Sequence, residues 1–145
     1  MENMQSETGR NTGSKIIKID VHTNARVEFK DVTGEIGKAV SKSNIENGIC
    51  YIFVPHTTAG ITINENADPD VREDMIATFN KVIPFNGDYA HIEGNSAAHI
   101  KASIMGFSEI VLIENGKLQL GHWQGIYFCE FDGPRHRKLW IKSVK

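Results

Sequence analysis

The side chains able to do chemistry crowd into four connectors of the chain, spanning residues 56–66, 91–99, 121–124 and 130–137. His91 and His99 frame Glu93-Gly94-Asn95, and His99 falls in the first turn of a predicted helix. Neutral imidazoles ligate zinc and similar divalent ions, and a catalytic metal needs only three protein ligands when a position stays open for water or substrate. His56 is the candidate third ligand. The spacing fits no sequential motif such as His-Glu-x-x-His, so the set works only if the fold gathers distant loops. The alternative is that these are hydrogen-bonded structural histidines, which is how His22, His122 and His136 are mostly read.

Asp132-Gly133-Pro134-Arg135 is a tight turn carrying an arginine, and Arg137 follows two residues on. A guanidinium presents a planar fork of donors that matches phosphate or carboxylate oxygens in pairs. Alternation along a strand would aim Arg135 and Arg137 to one side as an anion clamp. The competing reading is a pair of internal ion pairs with Glu130 and Asp132. Thr57, Thr58, Asn64 and Glu65 leave one sheet edge beside His56, either as a polar site held by rigid elements or as groups that satisfy a tight turn. Trp123-Gln124 divides the same way, between core packing and an amide that reads a ring or a phosphate. The phosphate-binding Gly-x-x-x-x-Gly-Lys loop, the dinucleotide fingerprint and the Gly-x-Ser-x-Gly elbow are all missing.

The elements that must position these groups are legible from periodicity. Ile17, Ile19 and Val21 alternate as a strand, residues 26–29 follow as a weaker one, and the two suggest a hairpin turning at Asn24. Val32, Ile36 and Val40 mark a short helix over 31–42, with Asp31 or Thr33 available as its cap. Residues 49–54 are continuously apolar, which predicts a central strand buried on both faces, closed by Pro55. A short strand around Ile61 and Ile63 follows.

Asp68-Pro69 opens a second helix with Val71, Met75, Phe79 and Ile83 as its stripe, ending at Pro84. Residues 95–105 form a third, with Gly106 at its end. Asn115-Gly116 predicts a two-residue hairpin between 110–113 and 118–120. Residues 125–131 and 137–144 read as another strand pair around Asp132-Gly133-Pro134. Strands outnumber helices by roughly two to one, with helices interleaved early and hairpins late, so the class is α+β.

A chain of 145 residues with 40% hydrophobic and 23% charged residues fits one globular domain with its own core. A formal net charge of -2 argues against a protein that holds nucleic acid by neutralising phosphates. Cys50 and Cys129 sit inside apolar runs as buried free thiols, too few for a disulfide framework, so thiol catalysis is disfavoured and a reducing, cytoplasmic setting is expected. No apolar run is long enough to span a bilayer, so no membrane partner is expected. Residues 1–14 carry almost nothing to bury and read as a loose tail ahead of a domain over 15–145.

Taken together, the four clusters resemble the YjbQ-like family: residues 56–66 with Asp68, then His91 and Glu93-Gly94-Asn95 with residues 98–101, then Leu120-Gly121 with Trp123-Gln124, then Glu130 with Gly133-Pro134-Arg135 and Arg137. The resemblance spans residue 15 to the C-terminus. It implies an α+β domain with sheets packed as a sandwich, about three helices, and a homotrimer with sheets around the threefold axis. It also implies a divalent metal, zinc or magnesium, at His56, His91 and His99. Thr57, Thr58, Asn95, Arg135 and Arg137 become candidate binding residues, and Glu65, Gln124, Glu130 and Arg135 candidate catalytic ones.

The implied activity is that of a secondary thiamine-phosphate synthase, joining a pyrimidine methyl diphosphate to a thiazole phosphate with loss of pyrophosphate. In that reaction charge develops on the departing oxygens, so catalysis would rest on positioning and on well-placed cations. Two other readings use the same residues: a metal-assisted hydrolase of a phosphorylated metabolite, and a non-catalytic trimer that binds a metal or a small anion.

Overall fold

The computed structural model describes residues 15–145, and the tail expected over 1–14 lies outside the described residues. Eight strands and three helices follow in the order β1 (Ile17–His22), β2 (Glu28–Asp31), α1 (Thr33–Lys42), β3 (Gly48–Phe53), β4 (Ala59–Glu65), α2 (Pro69–Val82), α3 (Ser96–Met105), β5 (Ser108–Glu114), β6 (Lys117–Gln119), β7 (Gln124–Glu130) and β8 (His136–Val144). They build an α+β domain from two antiparallel sheets. One has five strands in the order β1-β8-β3-β5-β6, the other three in the order β2-β7-β4.

The layers follow from which faces are apolar. Val21, Cys50, Ile52, Val111, Ile113, Leu139 and Ile141 point inward from the five-stranded sheet and meet Ile61, Ile126 and Phe128 of the smaller sheet, with Ile36 and Val40 of α1 closing the space. Residues on the other face of the smaller sheet, Phe29, Tyr127 and Cys129, pack with Phe131 against Ala98 and Ala102 of α3 and Met75 and Ile76 of α2. The three-stranded sheet is thus the middle layer. This is why β7 is buried from Gly125 through Glu130, both of its faces being covered.

Local signals set the helix and turn ends. Asp68 Oδ1 accepts the Asp70 N–H at 2.9 Å, as the Asp-Pro start of α2 demands. The Val71 to Ile83 stripe is only half-buried, because α2 lies on the surface and no residue of it is fully covered. Asp31 takes the Thr33 N–H at 2.9 Å although Val32 holds the cap position of α1. Asn115 and Gly116, at φ 52° and 73°, turn β5 into β6 with Glu114 opposite Lys117.

Three expectations are corrected. β1 and β2 do not pair with one another: β1 pairs with β8 and β2 with β7, in different sheets. Nor do β7 and β8, since β7 joins β2 and β4 while β8 joins β1 and β3. The turns at Asn24 and Asp132-Gly133-Pro134 therefore carry the chain from one sheet to the other. They are stitched together: Gly133 N–H donates to Arg26 O at 3.0 Å, and a Cβ on Gly133 would lie 2.3 Å from Ala25 O. The third correction concerns β3. It is central, but Tyr51 and Phe53 are each 44% exposed on the outer face, so only one side of the strand is buried.

Candidate functional site

The smaller sheet separates the predicted residues into two ends. β4 and β7 run antiparallel with Ala59 opposite Glu130 at one end and Glu65 opposite Gln124 at the other. Six residue steps at about 3.3 Å each put these ends about 20 Å apart. Glu65 and Gln124 therefore do not share a site with Glu130 within one chain. Gln124 Oε1 accepts the Gly121 N–H at 2.7 Å, and Tyr127 Oη donates to Glu65 O at 3.1 Å, so this end is tied up locally. Trp123 is 58% exposed there and is not the core residue that its type suggests.

At the Glu130 end, the turn between β7 and β8 meets the start of β4 and the β1–β2 connection. Glu130 is fully buried. Its Oε1 accepts Arg137 Nε at 2.9 Å and the Thr23 hydroxyl at 2.7 Å, and its Oε2 accepts the second Arg137 nitrogen at 2.5 Å. Arg137, 5% exposed, also donates to Thr58 Oγ1 at 2.8 Å. A bidentate, enclosed pair of this kind is complete without a ligand. Arg135 precedes β8 and turns away, donating from Nε to Asp132 O at 2.7 Å and pairing with Asp132 Oδ2 at 3.1 Å. The two arginines thus make separate ion pairs rather than one clamp, because Arg135 belongs to the turn and strand alternation does not govern it.

His56 stands on the outer side of this network. Its Nε2 accepts the backbone N–H of Lys138 at 2.8 Å, which fixes the proton of the neutral ring on Nδ1. Burial, helped by the Arg137 charge, pushes its pKa below the ordinary 6.5. Thr57 is exposed beside it, and both line a shallow apolar groove with Phe53, Val54, Pro55 and Phe107.

His91 and His99 do come together. Their rings meet edge to face with centroids 5.5 Å apart, and both line an open pocket of about 470 Å³ with Asp88, Tyr89, Ser96 and Ile100. The pocket lies at the N-terminus of α3, where the Ala98 and His99 N–H groups donate to Asn95 O at 3.0 and 3.4 Å and, among the described residues, those of Ser96 and Ala97 have no intrahelical partner. Asn95 occupies the cap position but its side chain does not cap: its Nδ2 donates to Asp132 Oδ2 at 3.0 Å, and its Oδ1 is buried without a partner among the described residues. The Asn95–Asp132–Arg135 chain thus links the histidine pocket to the β7–β8 turn. Glu93 Oε2 stands 3.8 Å from His91 Nε2.

Among the described residues no group of three His, Cys, Asp or Glu side chains is placed to hold a metal ion. His56 lines a different groove, and its Nε2 lone pair is already engaged, so one chain offers a metal two imidazoles. That is one short of a catalytic zinc site, and no chemical step is assigned to a metal. Both thiols are free and buried, and burial pushes Cys50 up to about 11 and also raises Cys129 well above the ordinary thiol value. They stay protonated and inert at neutral pH.

Sequence reasoning missed Thr23, whose hydroxyl bridges Glu130 and the Arg135 N–H, and the buried Lys101. A signal existed for the latter, because position 101 falls on the same helical face as Ala97, Ala98 and Ala102. Among the described residues no helix is long and apolar enough to cross a membrane.

Comparison with known proteins agrees with this architecture. A UPF0047 protein of Methanocaldococcus jannaschii is 51% identical over 129 residues, covering 89% of this chain and 94% of its own. The UPF0047 protein YugU of Bacillus subtilis is 52% identical, covering 87% and 96%. Among solved structures, a YjbQ/UPF0047 family protein of Clostridium acetobutylicum superposes with a TM-score of 0.87 at 56% identity, covering 88% of this chain and 99% of its own. A YbjQ-like protein of unknown function from Sulfolobus solfataricus superposes at 0.85 with 34% identity, covering 90% and 96%. Residues 17–145 match the family described as UPF0047 protein YjbQ-like, and the chain belongs to that family.

Proposed function

We propose that the chain binds a small phosphorylated metabolite in the pocket at the N-terminus of α3. The observation that carries this reading is the pairing of His91 and His99 beside the uncapped first turn of that helix. The backbone N–H groups of Ser96 and Ala97 can donate to an anion, the helix dipole favours negative charge, and imidazole N–H groups and the Ser96 hydroxyl add donors. Asp88 is the one carboxylate in the lining, so the pocket takes a phosphate that stays on the helix side of it.

The reaction we propose is the transfer that the family resemblance implies, a weak thiamine-phosphate synthase activity. The thiazole nitrogen attacks the pyrimidine methylene carbon, a C–N bond forms, the C–O bond to the diphosphate breaks, and pyrophosphate leaves with the electron pair. His91, His99 and Ser96 would hold the departing phosphates, worth about 100-fold to 1000-fold in turnover for a well-placed donor. A zinc ion would find two imidazole ligands in the same histidines and would have to draw the rest from substrate, whereas magnesium, which prefers oxygen ligands, fits them poorly.

Calorimetric titration with inorganic pyrophosphate tests the binding. His91→Gln and His99→Gln should each weaken it about tenfold without lowering Tm, and unchanged affinity in both refutes the site. Incubation with the two organic substrates then separates the chemistries. Condensation supports the transferase, phosphate release from a single ester supports a hydrolase, and tight binding without turnover supports a regulatory anion binder.

We also propose a homotrimer, assembled through the outer face of the five-stranded sheet. Tyr51, Phe53, Ile110 and Leu112 stand exposed together there, and the buried Trp140 Nε1 has no hydrogen-bond partner among the described residues. A contiguous apolar face of this kind is usually covered in solution. Light scattering should give three times the chain mass, and Leu112→Glu should lower it to one. A wild-type monomer would refute the assembly.

A further inference from the structure

α3 has a second cavity on its opposite face. While Ser96, His99 and Ile100 line the histidine pocket, Ala97, Ala98 and Lys101 line a space of about 460 Å³ closed by α2 and the β1–β2 connection. Its walls are mixed, with Phe131, Phe85 and Ile76 the largest apolar members beside Arg26, Asn80 and Lys101, and none of its nine lining residues is Asp or Glu.

Two cations face this space without a carboxylate. Lys101 is 3% exposed, and among the described residues its Nζ has one hydrogen bond, to Asn80 Oδ1 at 2.6 Å. An ammonium carries three donors, and burying one without a counter-charge is unfavourable. Arg26 lies at the rim, its guanidinium 3.9 Å from the centroid of the Phe85 ring and in no ion pair among the described residues. Burial also lowers the Lys101 pKa, the expected response of a cation that lacks a partner.

We propose that this cavity is a binding site for a small planar organic anion, whose carboxylate or phosphate group pairs with Lys101 and Arg26 while its ring packs against Phe85 and Phe131. Phe85, Phe131 and Ile76 supply apolar area for a ring, and the two cations with Asn80 supply the polar groups that would orient it. A stacked guanidinium at the rim adds a second flat surface. The site is independent of phosphate binding at His91 and His99.

The test is a backbone-amide NMR titration of the full chain with benzoate and, separately, phenyl phosphate, with benzyl alcohol as the uncharged control. Shifts are expected at Arg26, Asn80, Phe85 and Phe131 with one or both anions, and the tighter binder names the head group. Lys101→Met should weaken binding at least tenfold and Arg26→Gln about threefold, and the rim variant keeps the test valid should the buried one fail to fold. Three outcomes would overturn the proposal: benzyl alcohol binding as tightly as the anions, unchanged affinity in Arg26→Gln together with Lys101→Met, or shifts confined to residues 88–91. The last of these would leave the histidine pocket standing, so the two sites fail separately.

Discussion

Arg137 and Lys101 are both buried cations within the same small domain, and they are treated in opposite ways. Arg137 is gripped by Glu130 through two nitrogens and by Thr58 through a third contact, at the seam where the β7–β8 turn meets the β1–β2 connection. Lys101 is buried beside an open cavity with a single amide oxygen for company. Where a charge already has its counter-charge and hydrogen bonds, the fold is using it to hold elements together. Where it has a hydrogen bond but no counter-charge, as at Lys101, the structure retains a cost that an incoming anion would relieve. Completeness of the pairing, rather than residue type, separates a structural charge from a binding one.

The comparison breaks most readily at Glu130. Glu130→Gln should destabilise the protein by about 3–5 kcal/mol, because it leaves the Arg137 guanidinium buried without its counter-charge. Urea unfolding measures this, and Glu130→Leu combined with Arg137→Met should recover most of the loss. A loss below about 1 kcal/mol in the single variant would mean that the pair is not structural.

Next in size is the histidine pocket, where each substitution of His91 or His99 should cost about 1.4 kcal/mol of pyrophosphate affinity, the tenfold drop set out above, with the urea midpoint unchanged. At Lys101 the sign reverses relative to Glu130. Lys101→Met removes an unpaired buried charge and should leave stability unchanged or raise it by about 1 kcal/mol. A large loss of stability there would place Lys101 in the same class as Arg137.

The smallest effect concerns an exposed pair for contrast. Hydrogen bonds from Lys138 and His136 hold the Asp20 carboxyl down to about 2, against an ordinary 3.8. Its contribution is fully present above the unfolded value and is lost as pH falls from about 4 through about 2, since the unfolded chain takes up the proton first. The stability difference between wild type and Asp20→Asn should therefore shrink across that window. A difference that stays flat from pH 5 to pH 2 would show the contacts to be inconsequential in solution.

Much of the fold was legible because its signals are local. Asp68-Pro69 starts α2, Gly106 ends α3 at φ 93°, and Asn115-Gly116 needs two positive φ values that few other pairs accept. The predicted pairings of β1 with β2 and of β7 with β8 failed for the converse reason. A tight turn between two strands says that the chain reverses, not whether both strands stay in one sheet. Here Glu130, Thr23 and Arg137 tie the two turns to each other, so each strand departs into a different layer. Continuous apolarity likewise misplaced the doubly buried strand at β3, whose outer face is bare in one chain, when the covered strand is β7.

Residue type, spacing and turn chemistry therefore determined the family, the α+β class, the helix limits and the four polar clusters, since each depends on neighbours within a few positions. Only the tertiary structure decided how those clusters group: His91 with His99, Glu130 with Arg137, Glu65 and Gln124 at the far end of the sheet, and Lys101 alone beside a cavity. The reason is geometric and electrostatic at once. Whether a charged side chain finds its partner across tens of residues depends on which layer each strand enters, and that is settled by burial of apolar faces rather than by the polar residues themselves.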